Sequence, residues 1–306
     1  MKIYVAGHRG LVGSATVRQI EKESKHVFVG QTRSELDLLN RDAVFSYLSK
    51  EKPDAIIIAA AKVGGIQANK TYPVEFLSQN LQIETNVIDG AHAAGIEKLL
   101  FLGSSCVYPK FAQQPIREEY LLTGELEKTN EPYALAKISG LKLVQAYRNQ
   151  YGHGWISAMP TNMYGPGDNF DLENSHVLPA LIRKFDDAKS SGASSVTLWG
   201  SGSPKREFLH ADDLGSACLF LLENYDNDIA INVGVGEDVS IKELAETIKR
   251  IIGFEGSIEW DSSKPDGTPR KLLDVSRLTD LGWKAKISLE DGISSTYQWY
   301  KANKKG

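Results

Sequence analysis

The sequence predicts an α/β protein: a doubly wound parallel sheet of Rossmann type carrying a smaller α/β lobe toward the C-terminus. Three observations carry this. Short apolar runs alternate with longer mixed segments through the first hundred residues, a βαβαβ rhythm. One of these runs, within Asp54–Ala60 (DAIIIAA), is continuously apolar, as expected of a strand covered by helices on both faces. A glycine-rich turn follows the first run directly.

Taken in order, Lys2–Ala6 (KIYVA) is the first strand, and Leu11, Ala15 and Ile20 mark a helix after it. His26–Gly30 (HVFVG) is a second strand. A helix from Arg41 follows, with Val44, Phe45 and Leu48 on one face and Asn40 placed to cap it. After the apolar strand, Pro73–Gly95 reads as one long helix and Lys98–Ser104 (KLLFLGS) as the next strand. Pro132 opens a helix carrying Tyr133, Lys137, Leu141 and Val144, and Trp155–Met159 is a strand ending at Pro160. Residues 161–175, rich in Asn, Gly and Pro, read as loop. Ser240 and Glu243 form a capping box before Ile241, Leu244, Ile248 and Ile251, with Gly253 as stop; Ser288 and Asp291 start a last helix in the same way. The basic tail KANKKG is expected to fray. No repeat and no clean linker divides the chain, so residues 1–165 are read as the dinucleotide domain, with returning segments from 205–235, and 166–306 mainly as the substrate lobe.

Composition narrows the function. The 306 residues carry 35 Lys plus Arg against 39 Asp plus Glu, a net charge of −4, which argues against a nucleic-acid or membrane-surface protein. The longest apolar run, Ala55–Ala61, is far short of the roughly 20 residues of a membrane helix. The opening MKIYVAGHRG reaches a glycine turn at once and does not read as a signal peptide. Two cysteines, Cys106 and Cys218, cannot form a disulfide framework, which suits a reducing, cytoplasmic setting.

Gly7-His8-Arg9-Gly10-Leu11-Val12-Gly13 is a G-x-x-G-x-x-G turn at a strand-to-helix junction. Its glycines permit a tight turn, close approach of backbone to a pyrophosphate, and packing of helix on strand, while the helix N-terminus offers free N–H groups to phosphate. The second strand selects the dinucleotide. An acid at its tip would accept from the ribose 2′-OH of NAD, but the strand runs into Gln31-Thr32-Arg33, and Arg9 lies in the turn itself. Two guanidiniums favour a 2′-phosphate and hence NADP(H). Asp37 and Leu38 stand where a loop could hold the adenine, and Asp37 reads equally well as a turn residue.

Tyr133-x-x-x-Lys137 places a phenol and an ammonium one helical turn apart. A nearby ammonium lowers a phenol's pKa and makes it a usable proton relay for hydride chemistry at a carbonyl. Gly103-Ser104-Ser105-Cys106-Val107-Tyr108 falls at the C-terminal end of a strand, the edge where open α/β sheets bind ligands. A hydroxyl there can polarise the same carbonyl.

These features together resemble the extended short-chain dehydrogenase/reductase family, over nearly the whole chain. GHRGLVGSA, AAKVGGIQAN, FLGSSCVYPK, NEPYALAK, PTNMYGPGDNF, NSHVLPALIRKF, REFLHADD and SKPDGTPRKLLDV are similar to its bifunctional nucleotide-sugar epimerase/reductases. The resemblance implies GDP-4-keto-6-deoxy-D-mannose as substrate, epimerised at C3 and C5 and then reduced at C4 with NADPH. It assigns the catalytic serine to Ser104 rather than Ser105, with Tyr133 and Lys137 completing the reductive group. The ketone acidifies hydrogens on both neighbouring carbons, so inversion needs a base on one face and an acid on the other; by resemblance these are Cys106 and His176, whose side-chain chemistry suits proton exchange. Cofactor contacts are implied at Gly7 to Gly13, Arg33, Asp37, Leu38, Leu102, Gly103, Ser104, Ser105, Lys137, Pro160, Thr161, Asn162, Met163 and His176. Substrate contacts are implied at Lys184, Trp199, Arg206 and Asp266, with Arg270 a further cation for the diphosphate. The family also uses arginine at the position of Lys184, and lysine keeps the charge but lacks the bidentate fork. No metal is implied, and a homodimer through two helices, one carrying Tyr133, is.

Three rivals are weighed. A UDP-hexose 4-epimerase with bound NAD shares the turn, Ser, Tyr and Lys but needs neither Cys106 nor His176. A 4,6-dehydratase resembles cases with an Asp-Glu pair after the serine, where this chain has Ser105-Cys106. A non-catalytic NADP-sensing regulator would have no need of an intact Ser104, Tyr133 and Lys137.

Overall fold

The computed structural model describes residues 1–264 and 266–304. Six parallel strands form the central sheet in the order β2-β1-β3-β4-β5-β10. They are β1 (Lys2–Ala6), β2 (Val27–Val29), β3 (Ala55–Ile58), β4 (Lys98–Leu102), β5 (Ile156–Pro160) and β10 (Ile231–Val233). The chain order reverses between β1 and β3, which pair in register Ile3↔Ala55 to Ala6↔Ile58. That switch point opens a ligand crevice at the C-terminal edge of the sheet.

The all-apolar strands split their side chains between two layers. Tyr4, Ile56, Ile58 and Phe101 face one cluster with Val44, Leu48, Val87, Leu141 and Trp155. Ile3, Val5, Ile57 and Leu100 face the other with Ile20, Leu214, Leu221 and Leu222. Alternation along each strand produces the split. Helices α2 (Arg41–Glu51), α4 (Asn80–Ala93) and α5 (Glu131–Tyr151) cover the first face; α1 (Leu11–Glu23) and α7 (Ala211–Asn224) cover the second. Ile56 and Ile57 are fully buried, and truncating either to Ala would cost about 2–5 kcal/mol.

The predicted signals act locally as read. Asn40 accepts from Ala43 N–H at 3.1 Å to start α2. Ser240 and Glu243 form both halves of the capping box on α8 (Ile241–Ile252), and Gly253 ends it in the left-handed region at φ 73°. Ser288 accepts from Asp291 N–H at 3.2 Å at the start of α10 (Leu289–Asn303).

Pro73–Gly95 is helical as read, from residue 73 to 93, with a wide π-type turn at Glu75–Gln79 leading into α4, and a short α3 (Ile66–Thr71) precedes it. The buried Asn80 amide donates to Phe76 O and Lys62 O while its oxygen accepts from Lys62 N–H, tying the π turn to the strand edge. Two expectations are corrected. Within the expected loop 161–175, β6 (Asn162–Tyr164) pairs with β9 (Phe208–His210); three residues are too few to show periodicity. In the tail, Lys304 pairs with Asp186 and Asp187 at 2.8 Å each, anchoring the end of α10 instead of fraying; Lys305 and Gly306 lie outside the described residues.

The C-terminal lobe packs α6 (Val177–Ser191), α8 and α10 around Leu181, Phe185, Leu244, Ile248, Ile293 and Tyr297. Its strands are short: β7 (Ser195–Trp199) with β12 (Ser257–Asp261), and β11 (Val239–Ser240), β8 (Lys205–Arg206) and β13 (Arg270–Lys271). Beyond β13 the chain returns to the sheet, where Leu278 of α9 (Ser276–Asp280) and Trp283 join its core.

Candidate active site

The glycine turn leaves β1 at the switch point. Gly7 has φ 85°, and a Cβ there would stand 2.7 Å from Ala60 backbone; at Gly13 a Cβ would stand 2.1 Å from Gly7 O. Both positions demand glycine. Gly10, whose N–H donates to Gly7 O at 3.0 Å, would meet only that oxygen at 3.4 Å, so its outer face is open to a ligand. Gly10 caps α1 without a side-chain bond, and the first turn, Leu11-Val12-Gly13, holds no acid. An anionic diphosphate fits this N-terminus in both geometry and charge.

At the end of β2 the His8 ring packs on Phe28 with centroids 5.4 Å apart. Gly30 makes room for it, since a Cβ there would stand 2.8 Å from His8 Nδ1. Arg9 and Arg33 are both exposed at this mouth. Asp37 accepts from Leu39 N–H at 3.1 Å as a turn residue, and Leu38 packs against the core beside it. The sequence reading found no acid at this strand tip. Glu35 in fact stands near Arg9 and His8, but its carboxylate is held by Thr32 N–H and hydroxyl at 2.8 and 2.7 Å, which lowers its pKa more than Arg9 does.

Three elements meet at the reaction centre. Leu102 ends β4, Gly103 follows it, and Ser104 caps a single helical turn, Ser105–Val107, accepting from Cys106 N–H at 3.2 Å. Tyr133, in the first turn of α5, packs edge-on against Phe76 at 6.3 Å. Burial pushes its phenol pKa well above the ordinary value, Cys106 and Glu84 push the same way, and the Ser104 hydroxyl opposes them. This differs from the expectation that Lys137 would lower it. Lys137 instead lies 3.1 Å from Glu84, both side chains being almost fully buried.

His176 precedes α6 with no capping bond. His176 is exposed, and desolvation and the nearby Lys271 ammonium hold its imidazole below the usual range. Lys271 Nζ also donates to Cys106 Sγ at 3.6 Å. Cys106, His176 and Lys271 therefore form a second group beside Tyr133. Cys218, by contrast, is buried in the sheet core.

Pro160 ends β5, and Thr161 N–H just after it donates to Val233 O at 3.0 Å. Asn162 Nδ2 donates to Glu207 O at 2.8 Å, and Met163 follows it in β6. Toward the lobe, Trp199 is 69% exposed, with Lys184 Nζ 5.6 Å and Lys264 Nζ 5.7 Å from its ring centre. Asp266 accepts from Ser201 N–H and hydroxyl at 2.9 and 2.7 Å, and a Cβ at Gly267 would lie 3.0 Å from Arg206 Nη2. Lys184, Trp199, Arg206 and Asp266, distant in sequence, thus line one wall. Arg270 does not join them, being ion-paired with Asp238 at 2.5 Å.

Sequence reasoning missed Lys271, Glu84, Lys264 and Glu207. Glu207 is fully buried and accepts from Val235, Gly236 and Leu273 N–H at 2.7, 2.7 and 3.1 Å, which fixes the segment carrying Lys271 against the strand carrying Arg206. The only available signal was an acid directly before the apolar pair Phe208-Leu209. Among the described residues no group of three or more His, Cys, Asp or Glu could hold a metal, and no helix is long and apolar enough to cross a membrane.

Residues 3–234 match the NAD dependent epimerase/dehydratase family. The chain is 60% identical over 302 residues to GDP-L-fucose synthase 1 of Arabidopsis thaliana, covering 99% of this chain and 94% of the relative. It is 53% identical over 311 residues to GDP-L-fucose synthase of Escherichia coli (strain K12), covering 99% and 97%. The crystal structure of a GDP-L-fucose synthetase from Naegleria fowleri bound to NADP superposes with a TM-score of 0.92 at 32% identity, covering 99% of this chain and 93% of that one.

Proposed function

This chain belongs to the NAD dependent epimerase/dehydratase family, and from that premise we infer that it works as a GDP-L-fucose synthase. It takes GDP-4-keto-6-deoxy-D-mannose, inverts C3 and C5, and reduces C4 with NADPH. The observation that carries this reading is the meeting of two proton-handling groups at one sheet edge: Ser104, Tyr133 and Lys137 on one side, Cys106 and His176 with Lys271 on the other.

The dinucleotide fits the glycine turn by its diphosphate, with Arg9 and Arg33 beside a 2′-phosphate. When bound, NADPH supplies the hydride for C4. Cys106 and His176 take and return protons at C3 and C5 on opposite faces of the ring. Ser104 hydrogen-bonds the C4 oxygen, and Tyr133 gives that oxygen its proton as the carbonyl becomes an alcohol. Lys184, Arg206, Trp199 and Asp266 hold the nucleotide diphosphate and base. A UDP-hexose 4-epimerase would have no use for Cys106 and His176, and a dehydratase would need acids where Ser105 and Cys106 stand.

On the same reading, residues 1–165 with 205–235 bind NADP and 166–306 mainly bind the sugar nucleotide. The enzyme works as a cytoplasmic homodimer, with α5 in the interface, where Leu135 stands 42% exposed. The test is incubation with GDP-4-keto-6-deoxy-D-mannose and NADPH, with product identification by NMR. GDP-L-fucose is expected; a C4-reduced sugar with C3 and C5 unchanged overturns the reading.

A further inference from the structure

Glu84 belongs to none of the motifs read above, yet it is the partner of the Lys137 ammonium. It comes from α4, with Oε1 3.1 Å from Nζ and side chains only 1% and 3% exposed. The ammonium also lies 4.6 Å from the ring centre of Phe101. Space for the carboxylate is made by Gly140, one turn beyond Lys137 on α5. A Cβ there would stand 2.8 Å from Glu84 Oε2 and 2.3 Å from Phe101 Cζ. A glycine in mid-helix weakens the helix, and a buried ion pair is seldom more stabilising than an apolar pair of the same volume. Stability alone therefore does not account for this arrangement.

The reaction gives it a purpose. An ammonium alone beside a tyrosine favours phenolate, which suits a tyrosine that must take a proton. Reduction at C4 asks the reverse, since the phenol must bring a proton to the developing alkoxide. We propose that Glu84 is a positioning residue that holds the Lys137 ammonium and cancels its charge, so that Tyr133 enters the reductive step with its proton on. The proposal rests on the reading of this chain as a C4 reductase.

Burial raises the Glu84 carboxyl pKa, and the Lys137 ammonium opposes that rise. Glu84 from α4 and Cys106 from the turn after β4 both disfavour phenolate; the Ser104 hydroxyl favours it more weakly; the Phe76 wall is uncharged. Lys137 comes from the same helix. Lys271 contacts Cys106 and lowers the His176 pKa, and neither Lys271 nor His176 shifts the Tyr133 pKa. Neutralising Glu84 removes a negative charge from two neighbours at once. Tyr133 then ionises more readily, and Lys137 releases its proton more readily. Either loss ends the reduction, so both push the alkaline limb of the rate profile the same way.

The experiment is the pH dependence of kcat for NADPH oxidation by the full-length enzyme with GDP-4-keto-6-deoxy-D-mannose, in wild type, Glu84→Gln and Glu84→Asp. The alkaline limb should fall by about one pH unit or more in Glu84→Gln. Glu84→Asp, which keeps the charge, should restore most of it. A Glu84→Gln limb that coincides with wild type overturns the proposal, as does a Glu84→Asp limb displaced equally far. If Glu84→Gln does not fold, infrared spectroscopy of 13C-glutamate-labelled wild type decides, with the Glu84 band assigned by its loss in Glu84→Asp. An ionised carboxylate at pH 7 is expected, and a neutral carboxyl overturns the proposal. A wild-type enzyme that fails to oxidise NADPH with this sugar marks a failure of the functional reading instead.

Discussion

The two proton-handling centres of this site have cations in opposite electrostatic settings. At the reductive centre Lys137 is sealed in the core and matched by Glu84 at 3.1 Å. At the epimerising centre Lys271 reaches Cys106 Sγ at 3.6 Å and is the charge felt by His176, with no carboxylate paired to it among the described residues. Burial, aided by Cys106 and Glu84, raises the Tyr133 phenol pKa. Desolvation, aided by the unmatched Lys271, lowers the His176 imidazole pKa. Two kinds of proton chemistry thus share one edge of the sheet, each with its own burial and its own neighbouring charges.

Substitutions at the centres themselves have the largest effects. Tyr133→Phe should lower the rate of NADPH oxidation by about 10²–10⁴ while NADPH still binds, measured by absorbance and by cofactor fluorescence. Full activity in that variant would sink the proton-donor assignment. For Cys106→Ser, deuterium uptake from solvent at C3 and C5 should fall by about 10² or more. Normal uptake would give the base role to another residue.

Smaller effects sharpen the comparison. Arg33→Ala or Arg9→Ala should each reduce the preference for NADPH over NADH by about tenfold, read as the ratio of kcat/KM values. An unchanged ratio for both would return these arginines to solvent. The mildest test is Lys271→Met. Lys271 lowers the His176 pKa, so its removal raises it, and the His176 limb of the exchange profile should move to higher pH. A limb that stays or falls would place the two groups out of electrostatic contact.

Features carried by neighbouring residues were legible in the sequence. The glycine turn, the Asn40 and Ser240 caps and the Tyr133–Lys137 spacing each act within a turn or two of chain. Glu84, Lys271 and Glu207 were not legible, because their partners come from other elements: α5 for Glu84, the turn after β4 for Lys271, and the segments after β10 and β13 for Glu207. The π turn inside the correctly read helix has the same origin, since buried Asn80 bonds to Lys62, which lies before α3. Lys137 is the instructive case. Its place on the helix was read correctly, but its effect on Tyr133 was not, because the sequence does not display a counter-charge from another helix.

The central claim is that one site holds two separable centres. It is tested most directly by incubating Tyr133→Phe with GDP-4-keto-6-deoxy-D-mannose and NADPH in deuterated buffer. The recovered 4-keto sugar, analysed by NMR and mass spectrometry, should carry deuterium at both C3 and C5 with almost no NADPH consumed. Recovery without deuterium at either carbon, or brisk consumption of NADPH, would contradict the account.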